Sequence, residues 1–172
     1  MDTTDIIYNC AQKLDCDARR FEPMSRHTSF KIGGKADVYI KVTNLSQLMK
    51  ILKEEHLSCI VSKKNHIYKE KADGIRPILT LLDKGVLKDA QIADKVIGKA
   101  AAMMLVFGGI KEVHAGVISE PALHFLQAHH ILVHYELLVP NIINRKKDGI
   151  CPMETCVLHI DDMELAYHKL VH

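Results

Sequence analysis

Two stretches of this sequence hold residue types that could do chemistry. In Ala93-Asp94-Lys95-Val96-Ile97-Gly98-Lys99-Ala100-Ala101-Ala102, two lysines lie four apart in a largely apolar run. Read as part of a helix, that spacing puts Lys95 and Lys99 on one face. Paired ammonium groups there suit an anion or a carbonyl oxygen. The alternative is snorkelling, in which the amines reach water past apolar stems. The second stretch, Asn144-Arg145-Lys146-Lys147-Asp148-Gly149-Ile150-Cys151-Pro152-Met153-Glu154, reads as a polar loop feeding a helix. Pro152 suits the first helical position, where a missing N–H costs nothing. Cys151 then takes the cap position, and Glu154 the third, from which a carboxylate reaches back to the cap N–H. A thiol at a helix N-terminus gains thiolate character, and Arg145, Lys146 and Lys147 add positive charge nearby. That combination suits a nucleophile or redox thiol; the alternative is a cysteine that only shapes the turn. Asn144 and Arg145 could hold phosphate or carboxylate, the guanidinium as a bidentate fork, or belong to a solvated loop. Cys156 lies about 140° around the helix from Cys151 and should not pair with it.

The elements that must position these residues follow from pattern and punctuation. Asp5–Leu14 reads as a helix with Ile6, Ile7, Ala11 and Leu14 on one face. Thr28–Ile32 and Ala36–Val42 read as strands around Gly33-Gly34. Asn44 or Ser46 can cap a helix carrying Leu48, Met49, Ile51 and Leu52. From Leu57 a compact α/β alternation begins. Leu57–Ser62 and Ile67–Lys71 form a hairpin, Gly74–Leu82 a short helix, and Ala90–Phe107 a long apolar helix ending at Gly108-Gly109. Val113–Ile118 is a strand, Pro121–Ala128 a helix and Ile131–Leu138 a strand. Helical pieces at Pro152–Leu158 and Asp162–Leu170 close the chain. Strands alternating with helices predict an α/β fold in three layers.

Bulk properties narrow the function classes. Apolar residues make up 48% of 172 residues, enough for one sizeable core. A net charge of +2, no tryptophan and 5% aromatics argue against nucleic acid as a partner. The five cysteines show no CxxC spacing and are odd in number, which fits reduced thiols better than a disulfide framework. The acidic start, Met1-Asp2-Thr3-Thr4-Asp5, resembles no signal peptide, and no apolar run is long enough to span a bilayer. The expectation is a cytoplasmic protein without a membrane partner, with homo-oligomerisation left open.

The two stretches resemble a family of small prokaryotic proteins, a domain of unknown function, whose members share the cytidine-deaminase-like fold. The resemblance runs from about Lys50 to His172. It implies a three-layer deaminase-like sandwich over residues 53–172, with residues 1–52 as a short α+β extension. It also implies that the starts of two central helices meet at one sheet edge, where ligands bind. Asp94, Lys95 and Lys99 would come from the first and Ser119 and Glu120 from the second. Zinc deaminases hold their metal through an H-x-E helix start and a P-C-x-x-C helix start. Here the first falls near Asp94-Lys95-Val96 and the second at Glu120-Pro121-Ala122-Leu123, which offers no thiolate. No zinc is expected. His129, His130 and His134 show no recognisable metal-ligand spacing.

At the front, Pro23-Met24-Ser25-Arg26-His27-Thr28-Ser29-Phe30-Lys31-Ile32-Gly33-Gly34-Lys35-Ala36-Asp37 resembles the opening of UDP-N-acetylenolpyruvoylglucosamine reductase, a cell-wall flavoenzyme, over about Phe21 to Leu52. That family continues into a glycine-rich cradle for the flavin pyrophosphate. Here Glu55–Lys64 contains no glycine, so no FAD and no other cofactor is expected.

Four functional readings follow. The first is a metal-free deaminase-like domain binding a small anionic or nucleotide-like ligand near Lys95, Lys99, Ser119, Glu120, Asn144, Arg145 and Glu154. The second is an enzyme with Cys151 as nucleophile and Asp94 or Lys95 as proton carrier. The third is a regulatory or structural module without chemistry. The fourth is a remnant of the flavin reductase.

Overall fold

The computed structural model describes residues 2–13, 16–28, 31–41, 45–64 and 66–171. The chain divides into two compact units, Met1–Ile51 and Leu52–His172. The first holds α1 (Thr3–Lys13), β1 (Asp17–Pro23), a 3-10 turn at Met24–Arg26 and β2 (Lys35–Lys41). Helix α2 (Leu45–Glu54) follows. β1 and β2 pair antiparallel, Asp17 opposite Lys41 and Pro23 opposite Lys35. Buried Ala11, Cys16 and Ala18 form a small core that Tyr8 and Ile51 partly cover.

The expected hairpin in this unit needs correction. Among the described residues the partner of β2 is Asp17–Pro23, and Thr28, Lys31 and Ile32 belong to no strand. Thr28 is instead a loop residue whose hydroxyl donates to the Ile32 carbonyl and accepts from the Ile32 N–H. Gly33, at φ +146, lies so close to Met24 that an added Cβ would approach the Met24 Cβ to 2.8 Å. Leu14, Ser29, Phe30, Val42, Asn44 and the Ser46 side chain, which figured in the expected elements, lie outside what is described.

The second unit is α/β with a mixed sheet. Its elements are β3 (Cys59–Lys63), β4 (His66–Glu70), α3 (Arg76–Asp83), β5 (Gln91–Ile97), α4 (Lys99–Phe107) and β6 (Glu112–Ser119). Then come α5 (Glu120–Ala128), β7 (Leu132–Val139), α6 (Pro152–Val157) and α7 (Met163–Val171). The five strands lie in the order β4-β3-β5-β6-β7. β3 runs antiparallel to both β4 and β5, while β5, β6 and β7 are parallel. Among the described residues no helix is long and apolar enough to cross a membrane.

The long helix expected over Ala90–Phe107 is two elements. Gly98 adopts an extended conformation (φ −96, ψ 174) and caps α4, so the first half of the run is the strand β5. β5 is inserted between β3 and β6, and Ile92, Ala93 and Ile97 are fully buried. A strand covered on both faces is apolar without alternation, and period alone cannot separate it from a buried helix. α4 is the hub of the unit and packs against α3, α5, α6 and α7. Its Ala100-Ala101-Ala102 turn and the fully buried Met103, Met104 and Leu105 explain why so short a helix holds together: its stability comes from packing on several sides.

Candidate functional site

The site grows from the C-terminal half of β5. Asp94 lies opposite Cys59 of β3 and Ala115 of β6, in the middle of the sheet, and is 8% exposed. Its carboxylate accepts the Val96 N–H at 2.9 Å. Burial pushes its pKa up from 3.8 to about 7, so it exchanges a proton near neutrality. The neighbouring Cys59 thiol is pushed up first by its own burial and then by the Asp94 charge, which leaves it inert as a nucleophile. Lys95, next on the strand, is exposed and donates its N–H to the Ser58 carbonyl at 3.2 Å.

Gly98 then opens α4. The first intrahelical bond runs from the Ala102 N–H to the Gly98 carbonyl, so the N–H groups of Lys99, Ala100 and Ala101 precede it. That of Lys99 donates to Glu154 Oε1 at 3.1 Å. Glu154 comes from α6 and is 1% exposed. The same carboxylate accepts the Ser119 hydroxyl through Oε1 and the Ile142 N–H at 2.6 Å through Oε2. Ser119 is in turn the cap of α5, its Oγ accepting the Ala122 N–H. One carboxylate therefore spans the starts of α4 and α5. Gly98 makes room for it, since a Cβ there would stand 3.4 Å from the Glu154 carboxyl and 3.1 Å from Ile142.

A cavity of about 290 Å³ lies beside this junction. Asp94, Lys95, Gly98, Ala100, Ala101, Cys151 and Glu154 line it, with Ile75, Ile78, Ile142 and Met153 as its apolar wall. An exposed lysine, a carboxyl that titrates near neutrality and the first turn of a helix thus border one mostly apolar space. Such an arrangement can orient an anion and exchange a proton with its neighbour.

Several expected site residues sit elsewhere. Lys95 and Lys99 do not share a helix face, because one is on β5 and the other on α4. The Lys99 ammonium does not line the cavity. It is buried and donates to the Leu158 carbonyl at 2.8 Å and to Asp161 at 3.1 Å, with the Phe125 ring 6.0 Å away. Glu154 does not reach back to the Cys151 N–H, which donates to the Ile142 carbonyl at 2.7 Å. Tertiary donors on three other segments outcompete the local cap. Glu120 is exposed at the start of α5 and does not line the cavity. Asn144 donates to Asp148 at 2.8 Å within its own loop. Arg145 meets Asp73 at 3.2 Å, both exposed, and Asp73 belongs to the cavity rim.

Ser58, Asp73 and Ile75 are contributions the sequence reading missed. Asp73-Gly74 preceding a helix, with Gly74 at φ +66, was the local signal for a turn there. Nothing local pointed that turn at β5. Where a P-C-x-x-C helix start with its proline at Pro121 would carry its two thiolates, Ala122 and Phe125 are buried apolar residues without a donor atom. Among the described residues no group of three His, Cys, Asp or Glu is placed to hold a metal ion. The residues present do not fit a zinc site of that kind.

Comparison with known proteins places the domain. No curated protein matches the chain. The chain is similar to a solved structure of a DUF1893 family protein (TM1506) from Thermotoga maritima, with 27% identity and a TM-score of 0.69. That similarity covers 77% of this chain and 91% of the other. Residues 47–172 match the family described as TM1506, domain of unknown function (DUF1893), and the chain belongs to that family.

Proposed function

We propose that the second unit is a metal-free, deaminase-like domain that binds a small anionic, nucleotide-like ligand in the cavity between β5 and the start of α4. Support for the deaminase-like reading comes from topology. Two parallel strands, β5 and β6, each feed a helix at the same sheet edge, and zinc deaminases build their centres at two such helix starts. In this chain the Glu154 carboxylate stands there instead, bonded to both helix starts. The observation that carries the ligand reading is the placement of Asp94 beside Lys95 and the first turn of α4 in one cavity. A carboxyl near half-protonation offers both a donor and an acceptor, which suits the amide or amidine edge of a base. Lys95 and the helix start suit an anionic group.

The test is thermal unfolding with inorganic phosphate and a panel of nucleoside monophosphates as probes. A bound ligand raises the melting temperature by mass action, by about 2.7 kcal/mol of stability at a hundredfold excess over its dissociation constant. The response should vanish in Lys95→Met, whose side chain is exposed, with little change in the stability of the free protein. Lys99→Met should do the opposite. It removes two hydrogen bonds from a buried ammonium and should cost about 1–3 kcal/mol while leaving the ligand response in place. An unchanged response in Lys95→Met removes this reading.

A second reading rests on Cys151, which is half-buried and lines the same cavity as Asp94 and Lys95. Its sulfur would bond to an electrophilic carbon of the ligand as that carbon's leaving group departs, with Asp94 or Lys95 taking the thiol proton and passing it to the leaving group. Ligand turnover that survives Cys151→Ser unchanged eliminates it.

A further inference from the structure

We infer that the protein forms a two-fold homodimer through β7, which pairs antiparallel with the β7 of a second copy and joins the two five-stranded sheets. β7 is the last strand of its sheet, and among the described residues no strand pairs with its outer side. An unpaired edge is a template for another strand, and proteins that stay monomeric blunt it with lysine, proline or a bulge. Leu132-Val133-His134-Tyr135-Glu136-Leu137-Leu138-Val139 contains neither lysine nor proline. Its apolar side chains are open instead: Leu132 is 55% exposed, Tyr135 44%, Leu137 54% and Leu138 38%. A shallow apolar hollow lined by Val96, Val117, Val139, Ile143 and Ile150 continues this surface past the end of the strand.

The occupant is a second copy because the strand is complementary to itself in one register. Antiparallel pairing centred on Tyr135 sets Leu132 opposite Leu138, Val133 opposite Leu137 and His134 opposite Glu136, each pair occurring twice about the axis. Centring on Glu136 would oppose two glutamates, and centring on His134 would oppose Leu132 to Glu136. Directly opposed like charges destabilise a strand pair, whereas apolar pairs contribute about 0.2–1 kcal/mol each, as does the His134–Glu136 pair when the imidazole is protonated. Both polar side chains are already held on the strand by neighbours. His134 lies 3.3 Å from Glu112, and Lys53 donates to Glu136 at 2.7 Å, so little freedom remains to be lost on pairing.

Sedimentation or light-scattering measurements on the full chain should give twice the 19.4 kDa of one chain at micromolar concentration. His134→Glu places like charges opposite each other twice and should raise the dimer dissociation constant about tenfold. Adding Glu136→His reverses each pair and should restore dimerisation. Leu137→Lys replaces an exposed side chain and should give a folded monomer, with far-ultraviolet circular dichroism unchanged. A wild-type protein that sediments as a monomer overturns the inference. So does a dimer that tolerates both His134→Glu and Leu137→Lys, because its interface would then lie elsewhere.

Discussion

Asp94→Asn should make the protein more stable above neutral pH while abolishing its ligand response. The Asp94 carboxyl is buried in the central strand and its pKa rises from 3.8 to about 7. Below the lower value it is neutral in both folded and unfolded chains and costs nothing. Between the two values the folded chain holds a proton that the unfolded chain has released, so stability falls as the pH rises. Above about pH 7 the full cost applies. Three pKa units correspond to about 4 kcal/mol at most. An asparagine keeps an oxygen for the Val96 N–H and never ionises. Melting curves of the two proteins should therefore nearly coincide around pH 4 and separate progressively to about pH 8, with the variant higher. Parallel profiles over that range would mean that Asp94 does not titrate as described. A group retained against stability is what a binding site looks like, since active and binding sites keep residues that folding alone would replace.

Glu154→Ala should be the most damaging single change at the site. It strips one acceptor group from the Lys99 N–H and the Ser119 hydroxyl, both buried, and from the part-buried Ile142 N–H. Leaving buried donors unmet costs about 1–3 kcal/mol apiece, so a loss of about 3–5 kcal/mol is expected in denaturant unfolding, the range seen when a buried charged partner is removed. Glu154→Gln keeps the shape but exchanges one acceptor oxygen for an amide donor, and should cost roughly half as much. Ser119→Ala should be milder still, and in the Glu154→Ala background should cost only what the lost cap of α5 costs, about 1 kcal/mol, because the bond between the two residues is already gone. A double-mutant coupling below about 0.5 kcal/mol would show that the helix starts do not depend on this carboxylate. Ligand response adds a second readout. A variant that folds but loses the cavity wall should lose the ligand effect with it.

Most elements of the second unit were legible in the sequence because their ends are locally encoded. Pro121 and Pro152 open α5 and α6, and Gly108-Gly109 closes α4. The hairpin of β3 and β4, and the strands β6 and β7, differ from the sequence reading by a residue or two. β5 was not legible. Its consecutive buried residues Ile92, Ala93 and Asp94 break the alternation that marks a strand, and the alanines that follow continue the same apolar run. That one error placed Lys95 on the helix of Lys99 and created an apparent lysine pair. In the first unit β2 was legible, but its partner was not. Antiparallel pairing is decided by which segment can reach it, and Asp17–Pro23 lies across the intervening turn.

By itself the sequence determined the α/β class, most element boundaries and the absence of a P-C-x-x-C helix start, since each depends on residue type and short spacing. The tertiary structure alone decided how the charges are used. Lys99 and Glu154 look like site residues in one dimension, yet burial ties Lys99 to Leu158 and Asp161 and sets Glu154 across two helix starts. Asp94 is a candidate proton carrier in the sequence as well, but only its enclosure in the middle of the sheet carries its pKa to neutrality. A charged group's role depends on what replaces its water, and those replacements come from segments far apart in the chain.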